Sequence, residues 1–304
     1  MNTEDVSQRY QRLDTWPTGE VVAALIEGQM RAPAAVWAVE GHLEAAAEAA
    51  AARLAQGGGR IVYAGAGASG RIAVQDGVEL HPTYGWPDDR LVYLMAGGEG
   101  ALVRSVEGAE DDAEEARRRV AELDLGPTDV LIAVAASGAT PFVVAAAQAA
   151  RTAGALVIGL ANNPDSPLAA VSDHAVELLT GAEVIAGSTR MAAGTAQKIA
   201  LNVLSTAIMV RLRRVHDNLM VDLASTNAKL ARRRLAILRR IVPADEAAAQ
   251  RALERAGGHI KTAALLLRGC TPEKAGEALA RAGGDLRAAL ATLNTSRTEK
   301  GGTP

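Results

Sequence analysis

Four short, unbroken apolar runs most constrain what this chain can fold into. They are RIVYA (60–64), LVYLM (91–95), VLIAVA (130–135) and ALVIGL (155–160). A run of five or six apolar residues without polar alternation is the pattern of a strand buried on both faces. Residues 174–179 form a weaker fifth run. Between the runs lie Ala-rich stretches such as 141–152, opened by Pro141, which suits a first helical position. Strands alternating with helices predict an α/β fold, a doubly wound parallel sheet with helices on both faces. Ligands of such sheets sit at the carboxyl ends of the strands, so the loops after the runs are where chemistry is expected.

The remaining segments read as helices. Residues 1–20 are polar, and 21–56 form one or two Ala-rich helices ended by Gly57-Gly58-Gly59. Helical patterns run from 189 to about 215 and from about 219 to 241, where Pro243 breaks them. Residues 244–294 read as three or four short helices, with Gly257-Gly258 and Gly283-Gly284 between them. The expected division is an N-terminal helical arm (1–56), a sheet domain (57–240), a small helical domain (241–296) and a polar, disordered tail (297–304).

Composition excludes several function classes. Aromatics are 3% of the chain, too few for base-stacking platforms, and the net charge of −3 points to no polyanion partner. The single cysteine, Cys270, excludes an internal disulfide framework and a cysteine-built zinc site. The five histidines form no ligand-spaced pair, so no metal site is expected. The N-terminal residues are polar and acidic, unlike a signal peptide, and no apolar run of about 18 residues exists to span a membrane. A cytoplasmic protein acting on a small molecule is expected.

The first run leads into Gly65-Ala66-Gly67-Ala68-Ser69-Gly70, which satisfies G-x-G-x-x-G between a strand and a helix. A dinucleotide site also wants an acidic residue ending the second strand, and that strand runs into Ala96-Gly97-Gly98 instead. A loop suited to bind an anion through backbone N–H groups is left. The third run ends in Ser137-Gly138-Ala139-Thr140-Pro141, either a second anion cradle or a plain helix cap. Ser188-Thr189-Arg190 precedes another long helix and carries the same two readings. Two glutamates stand out. Glu79 lies near the end of the helix that the first loop begins, before a Pro-Thr-Tyr-Gly turn. Glu110 lies in an acidic stretch after the second strand, of a kind that is usually a solvated face.

Five motifs, taken together, resemble one family. They are GGGRIVYAGAGASGRIAVQDGVELHPTYG (57–85), AGGEGALVRSVEGAEDD (96–112), AASGATPFV (135–143), GAEVIAGSTRMAAGTAQK (181–198) and NLMVDLASTNAKL (218–230). In order and spacing they resemble the N-acetylmuramic acid 6-phosphate etherases, built on the sugar isomerase (SIS) fold, and the likeness extends over about residues 10–295. Three positions depart from that pattern: Ala68 and Ala192 lack the family's hydroxyl and lysine, and Ala139 stands where a larger or charged residue is common.

The resemblance implies a phosphorylated amino sugar as substrate, release of D-lactate in cell-wall sugar recycling, and a homodimer with its site near the subunit interface. It implies no metal and no organic cofactor. Glu79 and Glu110 are the implied catalytic pair, with Gly67, Ser69, Gly70, Ser137, Gly138, Thr140, Ser188, Thr189 and Arg190 binding substrate. Two carboxyl groups in different protonation states suit an elimination, in which one takes a proton α to a carbonyl and the other protonates the leaving oxygen. If Glu79 is buried, it suits the acid. The competing readings are an SIS-fold aldose–ketose isomerase, a non-catalytic phosphosugar sensor resembling the glucokinase regulatory proteins, and a DNA-binding SIS regulator. The sensors are about twice as long, and no convincing helix-turn-helix domain is seen.

Overall fold

The computed structural model of the chain describes residues 2–224 and 228–298. Three helices, α1 (Thr18–Gln29), α2 (Arg31–Trp37) and α3 (Glu40–Leu54), precede the first strand. The alternating part then runs β1 (Ile61–Gly65), α4 (Gly67–Val78), α5 (Leu80–Tyr84), β2 (Leu91–Met95), α6 (Ala113–Leu123), β3 (Val130–Ala135), α7 (Pro141–Thr152), β4 (Leu156–Ala161), α8 (Pro167–Val171), β5 (His174–Glu177) and α9 (Ala192–Arg211). A hairpin, β6 (Val215–His216) and β7 (Leu219–Met220), leads to α10 (Ala228–Ile241), α11 (Glu246–Arg255), α12 (Ile260–Leu267), α13 (Pro272–Arg281) and α14 (Leu286–Thr298). Residues 299–304 of the expected tail lie outside the described residues.

The chain divides into two units. The first comprises Met1–Val78 and Asp89–Ile208; the second comprises Glu79–Asp88 and Met209–Pro304. In the first, all five strands of one sheet are parallel, in the order β2-β1-β3-β4-β5. Successive side chains of a strand point to opposite faces. Val62, Ala64, Leu131, Ala133 and Ala135 pack with Val120 of α6 and with Phe142, Val143 and Ala146 of α7. On the other face Tyr63 Oη donates to Asp76 Oδ2 of α4 at 2.7 Å, and Asp76 Oδ1 accepts from Asn202 Nδ2 and Ser205 Oγ of α9. All of these side chains except the half-buried Asn202 are buried. Two buried faces explain why the strands read as continuous apolar runs.

An ion pair ties the strands together at the opposite, amino end of the sheet. Asp129 Oδ2 meets Arg60 Nη2 at 2.9 Å, and the same carboxylate accepts from the N–H groups of Arg60 and Gly126. Burial pulls the Asp129 carboxyl upward, but the Arg60 bonds and the Gly126 N–H outweigh it and hold it below the ordinary carboxylate value.

The second unit is built on a helical repeat. Ala252-Leu253-Glu254-Arg255-Ala256-Gly257-Gly258 joins α11 to α12, and Ala278-Leu279-Ala280-Arg281-Ala282-Gly283-Gly284 joins α13 to α14. Both Gly-Gly pairs have positive φ: 59° and 85° in the first copy, 58° and 79° in the second. The closing bonds match as well, Gly258 N donating to Leu253 O and Gly284 N to Leu279 O. Leu253, Ile260, Leu265, Ala275 and Leu286 share one core with Val221 and Leu238. Residues 219–224 do not join the helix expected from 219 to 241. Asp217, with φ 51°, turns the chain into the β6–β7 hairpin instead.

Candidate active site

Strand register decides which loops meet. Gly65 pairs with Met95 on one side and Val134 on the other, so β1, β2 and β3 end at neighbouring points of one sheet edge. From β1 the chain goes out to β2, then returns to β3 on the other side of β1. The reversal falls between β1 and β3, the place where open α/β sheets bind ligands.

Gly67, with φ 52°, opens α4 in a conformation that glycine adopts without strain. The first-turn N–H groups of Gly67, Ala68 and Ser69 are of the kind a helix leaves without an internal acceptor, and they lie at its positive end. Gly70 differs. Its N–H donates to Ala66 O at 3.0 Å, and a Cβ there would lie 2.4 Å from Met95 Sδ and 2.8 Å from Gly65 C. Gly70 therefore lets α4 approach β1 closely rather than offering a donor.

A cavity of about 270 Å³ opens beside this loop, lined by Gly67, Arg71, Met95, Ser105, Glu107 and Glu110 among others. Glu110 is exposed, in a 3-10 turn (Ala109–Asp111). Its acidic neighbours divide the work: Asp112 caps α6, accepting from Glu115 N at 2.9 Å, and leaves Glu110 at the cavity. Arg71 was not singled out from the sequence. Its Nε donates to Ala101 O at 2.9 Å, and it supplies a cation to the wall that holds Glu110. Its one signal is a basic residue directly after the last glycine of the loop. A larger groove, about 670 Å³, lies along α6 and α7 and includes Val120, Leu125 and Ala149, but none of the expected site residues.

After β3, Gly138 takes φ 67°, and a Cβ there would strike the Ser166 side chain at 2.3 Å. Ser137 Oγ accepts from Ala139 N at 3.1 Å, which leaves its hydroxyl proton to donate. Thr140 is the N-cap residue of α7, but its side chain makes no capping bond. The plain-cap reading thus does not describe Thr140. Nor does it describe the third loop. There the buried Glu183 carboxylate accepts from Ala192 N at 3.1 Å and Ala193 N at 2.9 Å, closing the start of α9 in place of Ser188 and Thr189. The α9 terminus is already matched to an internal anion. Arg190 is exposed.

Glu79 belongs to the second unit, between α4 and α5. Pro82 lies inside the one-turn α5 rather than in an open turn, and Gly85, with φ 60°, ends it. Leu80 and Trp86 are buried, His81 Nδ1 lies 3.0 Å from Trp86 O, and Glu79 itself is exposed. The burial expected of an acid at this position is not supplied by the chain alone. Among the described residues no group of three or more His, Cys, Asp or Glu could hold a metal ion.

Residues 43–151 match the model "Glucokinase regulatory protein N-terminal SIS domain", and residues 109–207 match the SIS domain model. The chain is 53% identical to the N-acetylmuramic acid 6-phosphate etherase of Deinococcus radiodurans, over 88% of this chain and 87% of that protein. It is 44% identical to the etherase of Rubrobacter xylanophilus, over 90% and 91%. A solved structure of a candidate phosphosugar isomerase involved in capsule formation from Bacteroides fragilis superposes with a TM-score of 0.51 at 25% identity, over 66% of this chain and 95% of that one. Likeness along nearly the whole length of both sequences places this chain in the N-acetylmuramic acid 6-phosphate etherase family, on an SIS fold.

Proposed function

We infer that the chain is a carbon–oxygen lyase that cleaves the D-lactyl ether of N-acetylmuramate 6-phosphate to N-acetylglucosamine 6-phosphate and D-lactate. The observation that carries this reading is the placement of Glu110 in one cavity with the opening turn of α4 and with Arg71, at the carboxyl ends of β1 and β2. The first-turn N–H groups of α4 and the hydroxyls of Ser137 and Thr140 bind the phosphate and hold the sugar by a group remote from the reacting carbons. Ser188, Thr189 and Arg190 complete the substrate contacts.

In the open-chain sugar the C2 proton is acidified by the C1 aldehyde. The Glu110 carboxylate takes that proton, a C2–C3 double bond forms, and the C3–oxygen bond breaks. The Glu79 carboxyl gives its proton to the departing ether oxygen, because an alkoxide leaves poorly. Water then adds at C3, its proton returning to Glu79, and the proton on Glu110 returns to C2. Both carboxyl groups end as they began.

Glu79 is exposed, and a leaving-group acid works better enclosed away from water. We assign that enclosure to a second copy. Val22 and Ile26 of α1 and Met30, which caps its end, follow one another at four-residue spacing, and Met30 and Trp37 are 70% and 78% exposed, an apolar surface of the kind that marks an interface. Homodimeric assembly, a cytoplasmic location and a place in cell-wall sugar recycling belong to the same reading. No described helix is long and apolar enough to cross a membrane. Incubation with N-acetylmuramate 6-phosphate and an assay for D-lactate tests it. Equimolar D-lactate and N-acetylglucosamine 6-phosphate are expected, and an isomerised sugar that keeps its lactyl group would overturn it.

A further inference from the structure

The helical repeat of the second unit uses equivalent residues for equivalent jobs. Lys261 stands three residues after Gly258, and Arg287 stands three residues after Gly284. Lys261 Nζ donates to Asp222 Oδ2 at 2.6 Å, with both side chains largely shielded, and Arg287 Nη2 donates to Asp217 Oδ1. Asp217 turns the β6–β7 hairpin, and Asp222 follows β7. Each copy of the repeat thus grips one end of the same hairpin through its own cation.

The hairpin region in turn grips the segment that follows Glu79. Arg214, just before β6, donates through Nη1 to Tyr84 O at 2.8 Å and Gly85 O at 2.9 Å, and its guanidinium lies 5.2 Å over the Trp86 ring. Asp222 O lies against Gly85, 2.3 Å from where a Cβ would stand, so the two backbones touch. Glu79 O accepts from Thr83 N at 3.2 Å, which joins Glu79 to the same helical turn. An unbroken set of contacts within one unit runs from Lys261 through Asp222 and Gly85 to the backbone of Glu79.

We propose that the C-terminal helical repeat is a positioning module for Glu79, with Lys261 and Asp222 as positioning residues that fix the α5 turn from behind. This rests on the reading of Glu79 as the leaving-group acid. Misplacing a catalytic group by about 1 Å through a distant change can cost on the order of 100-fold in rate. The phosphate loops and Glu110 belong to the first unit and Lys261 to the second, so loss of Lys261 is expected to bear on the protonation of the leaving oxygen and not on substrate capture or C2 proton removal.

The test is Lys261→Met in the full-length protein, with Lys261→Arg and Asp222→Asn beside it and thermal melting to record folding. Lys261→Met is expected to lower kcat for lactate release on the order of 10- to 100-fold with little change in KM. Exchange of the C2 proton in heavy water should persist, and amide hydrogen exchange in residues 79–86 should quicken. Lys261→Arg should restore all three, and Asp222→Asn should repeat the Met result if Lys261→Met does not fold. Unchanged amide exchange in 79–86 would overturn the positioning role whatever Glu79 does. An equal fall in C2 exchange and lactate release would show a general structural effect and overturn it too. Full lactate release by Glu79→Gln would remove Glu79 itself from the reaction, a separate result that leaves the amide-exchange arm readable.

Discussion

Ser137 and Thr140 show how a residue type can be legible in a sequence while its job is not. Ser and Thr before a helix are ordinary caps, and only the structure shows that the Thr140 side chain caps nothing and that Ser137 keeps a proton to donate. Ser137→Ala with Thr140→Val should therefore weaken binding more than folding. Each charge-assisted hydrogen bond is worth about 1.5–3 kcal/mol, so titration with substrate or inorganic phosphate should show a loss of at least tenfold in affinity. Equal affinity would return this loop to a cap. Gly70 is the converse case. The motif marks it as part of an anion loop, but its N–H is already bonded and its missing side chain admits Met95. Gly70→Ala should cost about 1–3 kcal/mol in denaturant unfolding, as overpacking does. Arg71 and Glu183 escape a sequence reading because nothing local tells a cavity wall or a buried cap from a solvated charge.

At the level of elements, the runs of β1, β3 and β4 are legible because burial on both faces removes every polar residue from a strand, and the edge strand β2 keeps the same apolar pattern although it is only half-buried over Leu91–Tyr93. Their ends are less so. The first strand begins at Ile61, not at Arg60, because Arg60 is drawn to Asp129, and it extends through Gly65 because the ladder with Met95 continues. The β6–β7 hairpin is invisible in advance, since two-residue strands carry no periodicity. The Ala-Gly-Gly repeat of the C-terminal helices is written plainly in the sequence, but its meaning lies in Lys261 and Arg287 reaching the same hairpin. The Arg60–Asp129 pair links the starts of β1 and β3. Asp129→Asn should lower stability at pH 7 by about 2 kcal/mol. The native Asp129 carboxyl titrates below its unfolded value of about 3.9. Its contribution is therefore present above that pH and lost as the pH falls through the lower, native value. Urea unfolding curves of wild type and Asp129→Asn should be separate at neutral pH and converge below about pH 4. A gap that persists in acid would assign the role to packing.

For the molecule as a whole, the exposed apolar residues of α1 and α2 point to a second copy of the chain. Light scattering at micromolar concentration should give twice the chain mass, and Ile26→Glu with Trp37→Glu should halve it and lower lactate release. A monomeric wild type would leave Glu79 in water and the proposed acid without its enclosure. In the proposed mechanism two glutamates divide one elimination, Glu110 taking the C2 proton and Glu79 supplying a proton to the leaving oxygen. It is tested most directly in heavy water, by following deuterium at C2 and D-lactate together in wild type, Glu79→Gln and Glu110→Gln. Glu79→Gln is expected still to exchange C2 while releasing little lactate, and Glu110→Gln to do neither. Loss of exchange in Glu79→Gln with its retention in Glu110→Gln would reverse the roles, and full lactate release from both variants would contradict the mechanism outright.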